Sequence, residues 1–264
     1  MRIAVCVKQV PVSQEAKMDT QKGVLIRDGT QKTINPYDLF AIEIALQFRE
    51  KIGGCITAFT MGPSSADQVL RDAFAMGVDR GCLLTDQAFA GADTFATSYA
   101  LSQAITAFGG FDVIFCGRQT TDGDTAQVGS EIGAFLGLPF LNWIQEIVSF
   151  SADSVTVIKS MTGGRVMVQL GTPCLLSVDK DVCQPRLPTL KNKLEAQKKE
   201  IIILHLEDMP DNHPERYGLE GSPTRVERIF QVKRAAKGRT IDGDVDQITD
   251  ILTQKLLVSL KPRD

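Results

Sequence analysis

Short apolar runs alternate with longer amphipathic stretches along the first half of the chain. After Asn35 and Pro36, which suit the cap and first turn of a helix, Leu39, Ile42 and Leu46 recur at helical spacing. Strands alternating with helices in this way predict right-handed crossovers around a parallel sheet, and therefore an α/β fold. The predicted strands are residues 2–7, 55–61, 82–85 and 112–116, and the predicted helices end near residues 53, 77, 108 and 136.

The second half of the chain has a different pattern of hydrophobic and polar residues. Four more apolar runs predict strands, and the first three of these are expected to be partly antiparallel. From residue 183 onward the chain is rich in proline, glycine and charge. We therefore expect an α/β core over residues 1–182 and an arm over residues 183–264 that packs on another protein. The predicted elements are strands over 144–150, 155–159, 165–170 and 174–178, and a helix over 245–260.

Composition and charge narrow the functional classes. The chain has 264 residues, is 43% hydrophobic and has a formal net charge of −3, so it can bury a full core but lacks the basic surface that nucleic acid requires. No apolar run approaches the ~18 residues of a membrane span, and we expect no membrane insertion. The six cysteines form no CxxC pair, which is typical of buried thiols in a reducing compartment, here the cytoplasm.

Several catalytic chemistries are not expected. His205 and His213 are the only two histidines and lie in a polar segment, which argues against a histidine zinc site or a Ser-His-Asp triad. The chain also has no nucleophile elbow, no P-loop and no dinucleotide glycine loop of the common types. A nucleotide must therefore be held by another kind of loop.

The loop after the fourth predicted strand is the richest in candidate binding groups. Ligands of parallel sheets lie at the carboxyl ends of the strands, where loops lead into helix N-termini. Thr121, Thr125 and Gln127 supply hydroxyl and amide groups, and a helix predicted over 124–136 would direct its first N–H groups at a phosphate. An ordinary polar loop capped by Asp124 is the alternative interpretation.

The start of the third predicted helix adds a second group of candidates. Asp93 suits the N-cap, and Thr94 and Thr97 lie on one face of the first turn. Their hydroxyls are placed to meet a second phosphate or a ribityl chain. The alternative is a capped helix whose threonines bind nothing.

Five segments, in chain order over about residues 1–200, carry a resemblance to a known family. They are VCVKQVP at 5–11, NPYD at 35–38, AMGVDRG at 75–81, GRQTTDGDTAQVG at 117–129 and PRLPTL at 185–190. Together they resemble the β subunit of electron transfer flavoprotein, and in particular its electron-bifurcating type.

The resemblance implies an adenine-nucleotide pocket at the edge of the sheet. Subunits that only relay electrons hold AMP there, whereas bifurcating subunits hold a second FAD that needs partners beyond the AMP moiety. The segment over 91–98, which contains Asp93, Thr94 and Thr97, resembles the bifurcating type together with residues 122–125. Tyr37 also resembles that type, near the approach of the nicotinamide. The implied cofactor-binding residues are Cys6, Asn35, Pro36, Tyr37, Asp38, Met61, Asp93, Thr94, Thr97, Thr121, Asp122, Gly123, Asp124, Thr125, Ala126, Gln127, Val128 and Gly129.

The resemblance also implies partners. The family forms a heterodimer with an electron transfer flavoprotein α subunit, on which the arm would pack, so this chain would not be catalytic alone. NADH would be the electron donor, and ferredoxin and a flavin-dependent dehydrogenase of the hydroxy-acid or acyl-CoA type would be the acceptors. Leu190 matches the apolar tip of the loop that docks onto the dehydrogenase.

The chain departs from the family pattern in one place, and three other interpretations stay open. The family has an acidic pair before Gly163-Gly164, where this chain has Met161 and Thr162. The alternatives are a relay subunit with structural AMP, an ATP-hydrolysing or adenylating enzyme that uses Asp122 and Asp124 to bind Mg²⁺, and a nucleotide-binding module without redox work.

Overall fold

A β-sheet flanked by helices forms the centre of the protein. The structure is a computed structural model that describes residues 1–12, 18–19, 24–25, 31–227, 238 and 240–259. Its strands are β1 Arg2–Cys6, β2 Gln9–Pro11, β3 Met18–Asp19, β4 Val24–Leu25, β5 Lys32–Ile34, β6 Cys55–Met61, β7 Arg80–Leu84, β8 Val113–Gly117, β9 Phe140–Phe150, β10 Ser154–Met161, β11 Gly164–Gly171, β12 Cys174–Val178 and β13 Ile201–Leu204. Its helices are α1 Pro36–Ile52, α2 Asp67–Met76, α3 Thr94–Ala107, α4 Val128–Phe135, α5 Leu190–Ala196 and α6 Val245–Ser259.

The main sheet is mostly parallel, which confirms the predicted fold class. Within the described ranges it has nine strands in the order β11-β10-β9-β12-β8-β1-β6-β7-β13. Neighbours from β9 across to β13 run parallel, and β10 pairs antiparallel with both β9 and β11. The partly antiparallel region predicted beyond residue 140 is therefore confirmed.

Alternate side chains of the central strands enter two apolar layers. Ile3 and Val5 of β1 pack on one face with α1 and α2, while Ala4 and Cys6 pack on the other with α3 and α4. Because both faces are covered, the strands read as continuous apolar runs rather than alternating ones. The carboxyl ends of β1, β6, β8 and β12 consequently lie side by side at one edge, where the loops to the helices meet.

The predicted helix over 124–136 begins later than expected, at Val128. Asp124 and Ala126 have φ values of 54° and 55°, in the left-handed region that a helix cannot include. Gln127 is the N-cap and makes no side-chain capping bond. Asp124 and Thr125 are therefore loop residues, and the interpretation of Asp124 as a helix cap is wrong.

The segment predicted as an arm contributes a strand to the sheet. β13 pairs in parallel with β7 at the edge of the main sheet. This strand was not predicted, because its four residues lie between the charged stretches around Lys199 and Glu207. The division after residue 182, with an arm that packs on a partner, stays a prediction.

Contacts divide the chain into two compact units, residues 1–227 and residues 228–264. The second unit contains α6, which agrees with the predicted helix, although residue 260 lies outside the described residues. None of the described helices is both long and apolar enough to cross a membrane.

Gly117 lets the end of β8 approach the start of α1. A Cβ atom at this position would lie 2.3 Å from Asp38 Oδ1 and 2.8 Å from the backbone carbon of Tyr37. We expect Gly117→Ala to destabilise the fold by about 1–3 kcal/mol, because backbone and a buried carboxylate cannot move aside cheaply. Urea unfolding measures this change.

Gly123→Ala in the same loop is the matched control. A Cβ atom there would meet only Thr120 Oγ1, at 3.6 Å, which is ordinary contact. Equal stability losses in the two variants would contradict the close approach at Gly117.

Candidate functional site

Asn35 joins the start of α1 to the loop that follows β8. Its side chain is fully buried, and its Nδ2 donates to Gln119 O at 2.9 Å and to Asp38 Oδ1 at 2.8 Å. Its Oδ1 accepts from the backbone N–H of Thr121 at 3.3 Å. Asn35 is the N-cap of α1, as predicted, although its side chain makes no capping hydrogen bond to the helix. Its amide instead fixes the position of the loop.

Asp38 is a buried carboxyl group at the centre of the site. Its side chain accepts hydrogen bonds from Asn35 Nδ2 and, at 2.7 Å, from the backbone N–H of Lys8. Burial raises the pKa of Asp38 to about 7, although these hydrogen bonds and the Lys8 charge oppose the shift. Near neutral pH the site therefore carries less negative charge than its residue types suggest.

Lys8 also holds the outer part of the loop. Its Nζ lies 2.8 Å from Asp122 Oδ2, and Gln119 donates a hydrogen bond to Asp124. Burial would raise the pKa of Asp122, but hydrogen bonds with Lys8 and Thr120 outweigh it and hold the pKa below its usual value. Both carboxylates thus already have partners within the protein, which weakens the interpretation of the pair as a Mg²⁺ site.

The loop from residue 121 to residue 127 leads into the uncapped start of α4. The exposed side chain of Thr125 lies between the left-handed residues Asp124 and Ala126. Since no side chain caps α4, the first N–H groups of the helix are free of a competing acceptor there. Gly129, in the first turn, lies against Cys116 and Ser177, within 3.4–3.6 Å of an added Cβ. Such a helix start suits a phosphate group.

The start of α3 lies beside the start of α4 but is already engaged. Asp93 Oδ1 accepts from the N–H of Ala96 at 3.1 Å, and Asp93 Oδ2 accepts from Thr224 Oγ1 at 2.7 Å. Thr94 Oγ1 donates to Glu131 Oε1 of α4 at 3.2 Å. The predicted cap at Asp93 is therefore confirmed, and it also binds the segment around residue 224.

Glu131 of α4 has a structural role that the sequence did not predict. It accepts hydrogen bonds from Thr94 and, at 2.9 Å, from Ser98 Oγ, and so joins the two helix starts. A glutamate inside an apolar helix carries no signal of such a role in the sequence. Thr97, one turn into α3, is partly exposed.

Cys6 and Met61 lie at the ends of β1 and β6. Cys6 is the register partner of Cys116 on β8, and both thiols are buried. The hydrogen bond with Cys6, together with burial, holds the pKa of the Cys116 thiol well above its usual value. Met61 is partly exposed and packs against the apolar layer that includes Cys6.

Arg118 and Trp143 form a further feature that the sequence analysis did not assign. The Arg118 guanidinium donates to Asp179 at 2.9 Å and lies 5.3 Å from the centre of the Trp143 indole ring. Trp143 has a φ of 61°, and β9 carries an extra residue opposite β12 at this point. Within the described ranges, the buried Nε of Arg118 has no hydrogen-bond partner.

Taken together, these groups fit a ligand that carries phosphate. The α4 start and Thr125 suit phosphate, the partly exposed Tyr37 and the exposed Pro36 border the loop, and the orphaned Nε of Arg118 lies directly after β8. The structure brings the starts of α1, α3 and α4 and the end of β1 to one edge of the sheet. Ligand contacts by each of the implied residues stay predictions.

Comparison with known proteins identifies the family to which the chain belongs. A family model described as the electron transfer flavoprotein domain matches residues 22–209. An electron transfer flavoprotein subunit beta of Thermoanaerobacterium thermosaccharolyticum is 41% identical over 257 residues, covering 97% of this chain and 98% of the relative.

Two further relatives have more specific names. Protein FixA of Azorhizobium caulinodans is 41% identical over 263 residues, covering 97% of this chain and 94% of the relative. The caffeyl-CoA reductase-Etf complex subunit CarD of Acetobacterium woodii is 38% identical over 258 residues, covering 97% of this chain and 98% of the relative.

Asp38→Asn tests the proton uptake of the buried carboxyl. Because the pKa is about 7 in the fold and 3.8 for the ordinary side chain, the folded state binds more protons between these values. The contribution of Asp38 to the free energy of unfolding is complete below about pH 4 and is lost as the pH rises through 7. From pH 4 to pH 8 the free energy of unfolding of the wild type should fall by up to a few kcal/mol more than that of the variant. The expected size is on the order of 1.4 kcal/mol for each pKa unit.

Urea unfolding at several pH values measures the difference, with Asp153→Asn in an exposed turn as the control. The same pH dependence in wild type and Asp38→Asn would contradict the raised pKa.

Proposed function

The chain belongs to the electron transfer flavoprotein β-subunit family, and from this premise we propose that it binds FAD and takes electrons from NADH for bifurcation. The acceptors in this proposal are ferredoxin and a partner flavin dehydrogenase. One observation carries the proposal: the first turns of α3 and α4 are held together by Glu131. This residue of α4 accepts hydrogen bonds from Thr94 and Ser98 of α3. A single helix start is enough for the phosphate of AMP, whereas a dinucleotide extends to a second group of partners.

Each part of the site has a distinct task in this proposal. The first N–H groups of α4 and the Thr125 hydroxyl hold phosphate, and Thr94 and Thr97 flank the remainder of the cofactor. The raised pKa of Asp38 reduces its repulsion of phosphate near neutral pH. FAD, when bound, supplies the one-electron and two-electron chemistry. The chain itself binds and orients the cofactor and contributes no catalytic acid or base.

The partners follow from the family and from the names of the relatives. The α subunit completes a heterodimer, and we propose that the arm packs on it. The name of the CarD relative ties that protein to a caffeyl-CoA reductase, which favours an acyl-CoA type of dehydrogenase here, with a hydroxy-acid dehydrogenase as the other type. Leu190 is the proposed docking residue. Six free thiols are consistent with the cytoplasm, where we propose that the complex works.

A relay subunit that holds AMP is the second candidate function. The carboxylate of Asp93 occupies the start of α3. It accepts hydrogen bonds from the backbone N–H groups of Ala96 and Thr224 and from the hydroxyl of Thr224. A carboxylate at that helix start disfavours a second anion beside it. This observation favours a single phosphate site, at α4.

Extraction of bound nucleotide from the purified heterodimer distinguishes the two candidates. We expect two FAD per heterodimer, because partners lie at both helix starts. Chromatography of the extract against FAD and AMP standards gives the stoichiometry. One FAD with one AMP would contradict bifurcation and leave the family assignment intact.

Thr125→Val tests the binding role of the loop before α4. We expect about ten- to hundredfold weaker flavin binding by this subunit, because a phosphate or amide partner loses one hydrogen bond. Folding should be unaffected, since the Thr125 side chain is exposed. Flavin retained after dialysis measures the effect.

Thr106→Val is the control, because its hydroxyl bonds Ser102 O near the far end of α3. Equal flavin retention in both variants would show that Thr125 does not contact the cofactor.

A further inference from the structure

Three leucines after residue 186 are exposed together. Leu187 is 90% exposed, Leu190 74% and Leu194 61%, and we call them the leucine patch. Thr189 Oγ1 caps α5 by accepting from the N–H of Asn192 at 3.1 Å. Leu190 and Leu194 are four residues apart on this helix and therefore share a face. No helix was predicted in this segment, so α5 corrects that expectation.

The carboxyl end of α5 is fixed to the core. Ala196 is buried, and Arg71 of α2 donates to Ala196 O at 3.3 Å and to Gln197 O at 3.1 Å. Lys199 Nζ then donates to Val78 O at 2.8 Å. The end of the helix therefore cannot swing freely from α2.

The other end of the segment is fixed by an arginine clamp, which consists of Arg186, Glu43 and Glu50. Arg186 Nε and Nη2 donate to the two oxygens of Glu43 at 2.8 and 2.9 Å, and Nη1 donates to Glu50 Oε1 at 2.6 Å. The backbone N–H of Arg186 also donates to Glu43, at 3.1 Å. Both glutamates belong to α1 and lie two turns apart, so a single guanidinium bridges two turns of this helix.

The geometry makes the clamp a rigid one. The Glu43 side chain is only 6% exposed, so it needs its cationic partner. Burial would raise the pKa of Glu43, but the hydrogen bonds from Arg186 outweigh it and the pKa lies below its usual value. A planar guanidinium with two carboxylates fixes direction as well as distance, which the ammonium group of lysine does not.

The charge around the leucine patch indicates the kind of partner. Arg186 is already paired with Glu43 and Glu50, and Lys199 binds the core, so neither belongs to the rim. Residues 187–198 between them contain three Lys and one Glu, a net charge of +2 in a chain of net charge −3. Lys191 is largely exposed next to Leu190. An apolar centre with a basic rim complements an apolar pocket with an acidic rim on another protein.

We infer that Arg186 is a positioning residue, whose clamp on α1 holds the leucine patch in the shape that enters such a pocket. The inference rests on the proposed function, under which the pocket belongs to the dehydrogenase. A segment fixed before binding loses less conformational freedom on docking than a mobile loop does. The clamp therefore contributes to affinity without touching the partner.

The test uses the αβ heterodimer with its flavins, titrated with the flavin dehydrogenase that purifies with the native complex. Arg186→Lys keeps the charge and loses the planar fork. We expect about a tenfold higher KM for the dehydrogenase, with flavin content and reduction by NADH unchanged. Hydrogen exchange of the amides in residues 187–195 should become faster in the free heterodimer.

Leu190→Ala is the matched comparison. It removes an apolar contact without touching the clamp, so KM for the dehydrogenase should rise while exchange in residues 187–195 stays as in the wild type. Lys191→Gln should change mainly the salt dependence of docking. The double variant Arg186→Gln with Glu43→Gln, which leaves no buried charge unpaired, replaces Arg186→Lys if that variant is poorly folded.

The outcomes separate the two claims. A raised KM in Leu190→Ala with an unchanged KM in the Arg186 variants would overturn the clamp and leave the proposed function intact. A raised KM in Arg186→Lys with unchanged amide exchange would also overturn the clamp. Failure of the wild-type heterodimer to pass electrons to the dehydrogenase would instead contradict the proposed function.

Discussion

The buried amide of Asn35 is the interaction on which the candidate site depends. It bonds the loop after β8 at Gln119 and Thr121 and the carboxyl of Asp38 on α1. A buried amide must satisfy both its donor and its acceptor atoms, so each of these groups fixes the others. The close approach of β8 to α1 at Gly117 requires the same arrangement. The loop that leads to α4 therefore has its position set by the core.

The order of elements could be predicted from the sequence because apolar periodicity reports burial directly. The central strands and the helix after Pro36 follow from it, and the loop over 117–129 follows from its place after a strand. The start of α4 could not be predicted, because alanine rarely adopts the left-handed backbone found at Ala126, and aspartate, which tolerates it, also suits a helix cap. The role of Glu131 could not be predicted for a related reason, since its partners on α3 come close to it only in the folded structure.

Helix α1 serves two surfaces of the protein at once. Its first turn supplies Asp38 to the candidate nucleotide site, and later turns supply Glu43 and Glu50 to the arginine clamp. Its apolar face is buried in the layer that includes Phe48, which is stacked on Phe150 at 3.7 Å between ring centres. A helix held this firmly carries the two sites as parts of one rigid element.

Strand β13 has a consequence for the order in which the chain is made. It closes the edge of β7, yet the two strands are separated by more than a hundred residues of sequence. During synthesis on the ribosome, β7 therefore has an open edge until the chain beyond Leu204 has emerged. Open parallel edges invite pairing with other chains. Fragments that stop before β13 should accumulate as aggregates in cells. The need for chaperones that cover the edge of β7 is greatest before β13 has been synthesised.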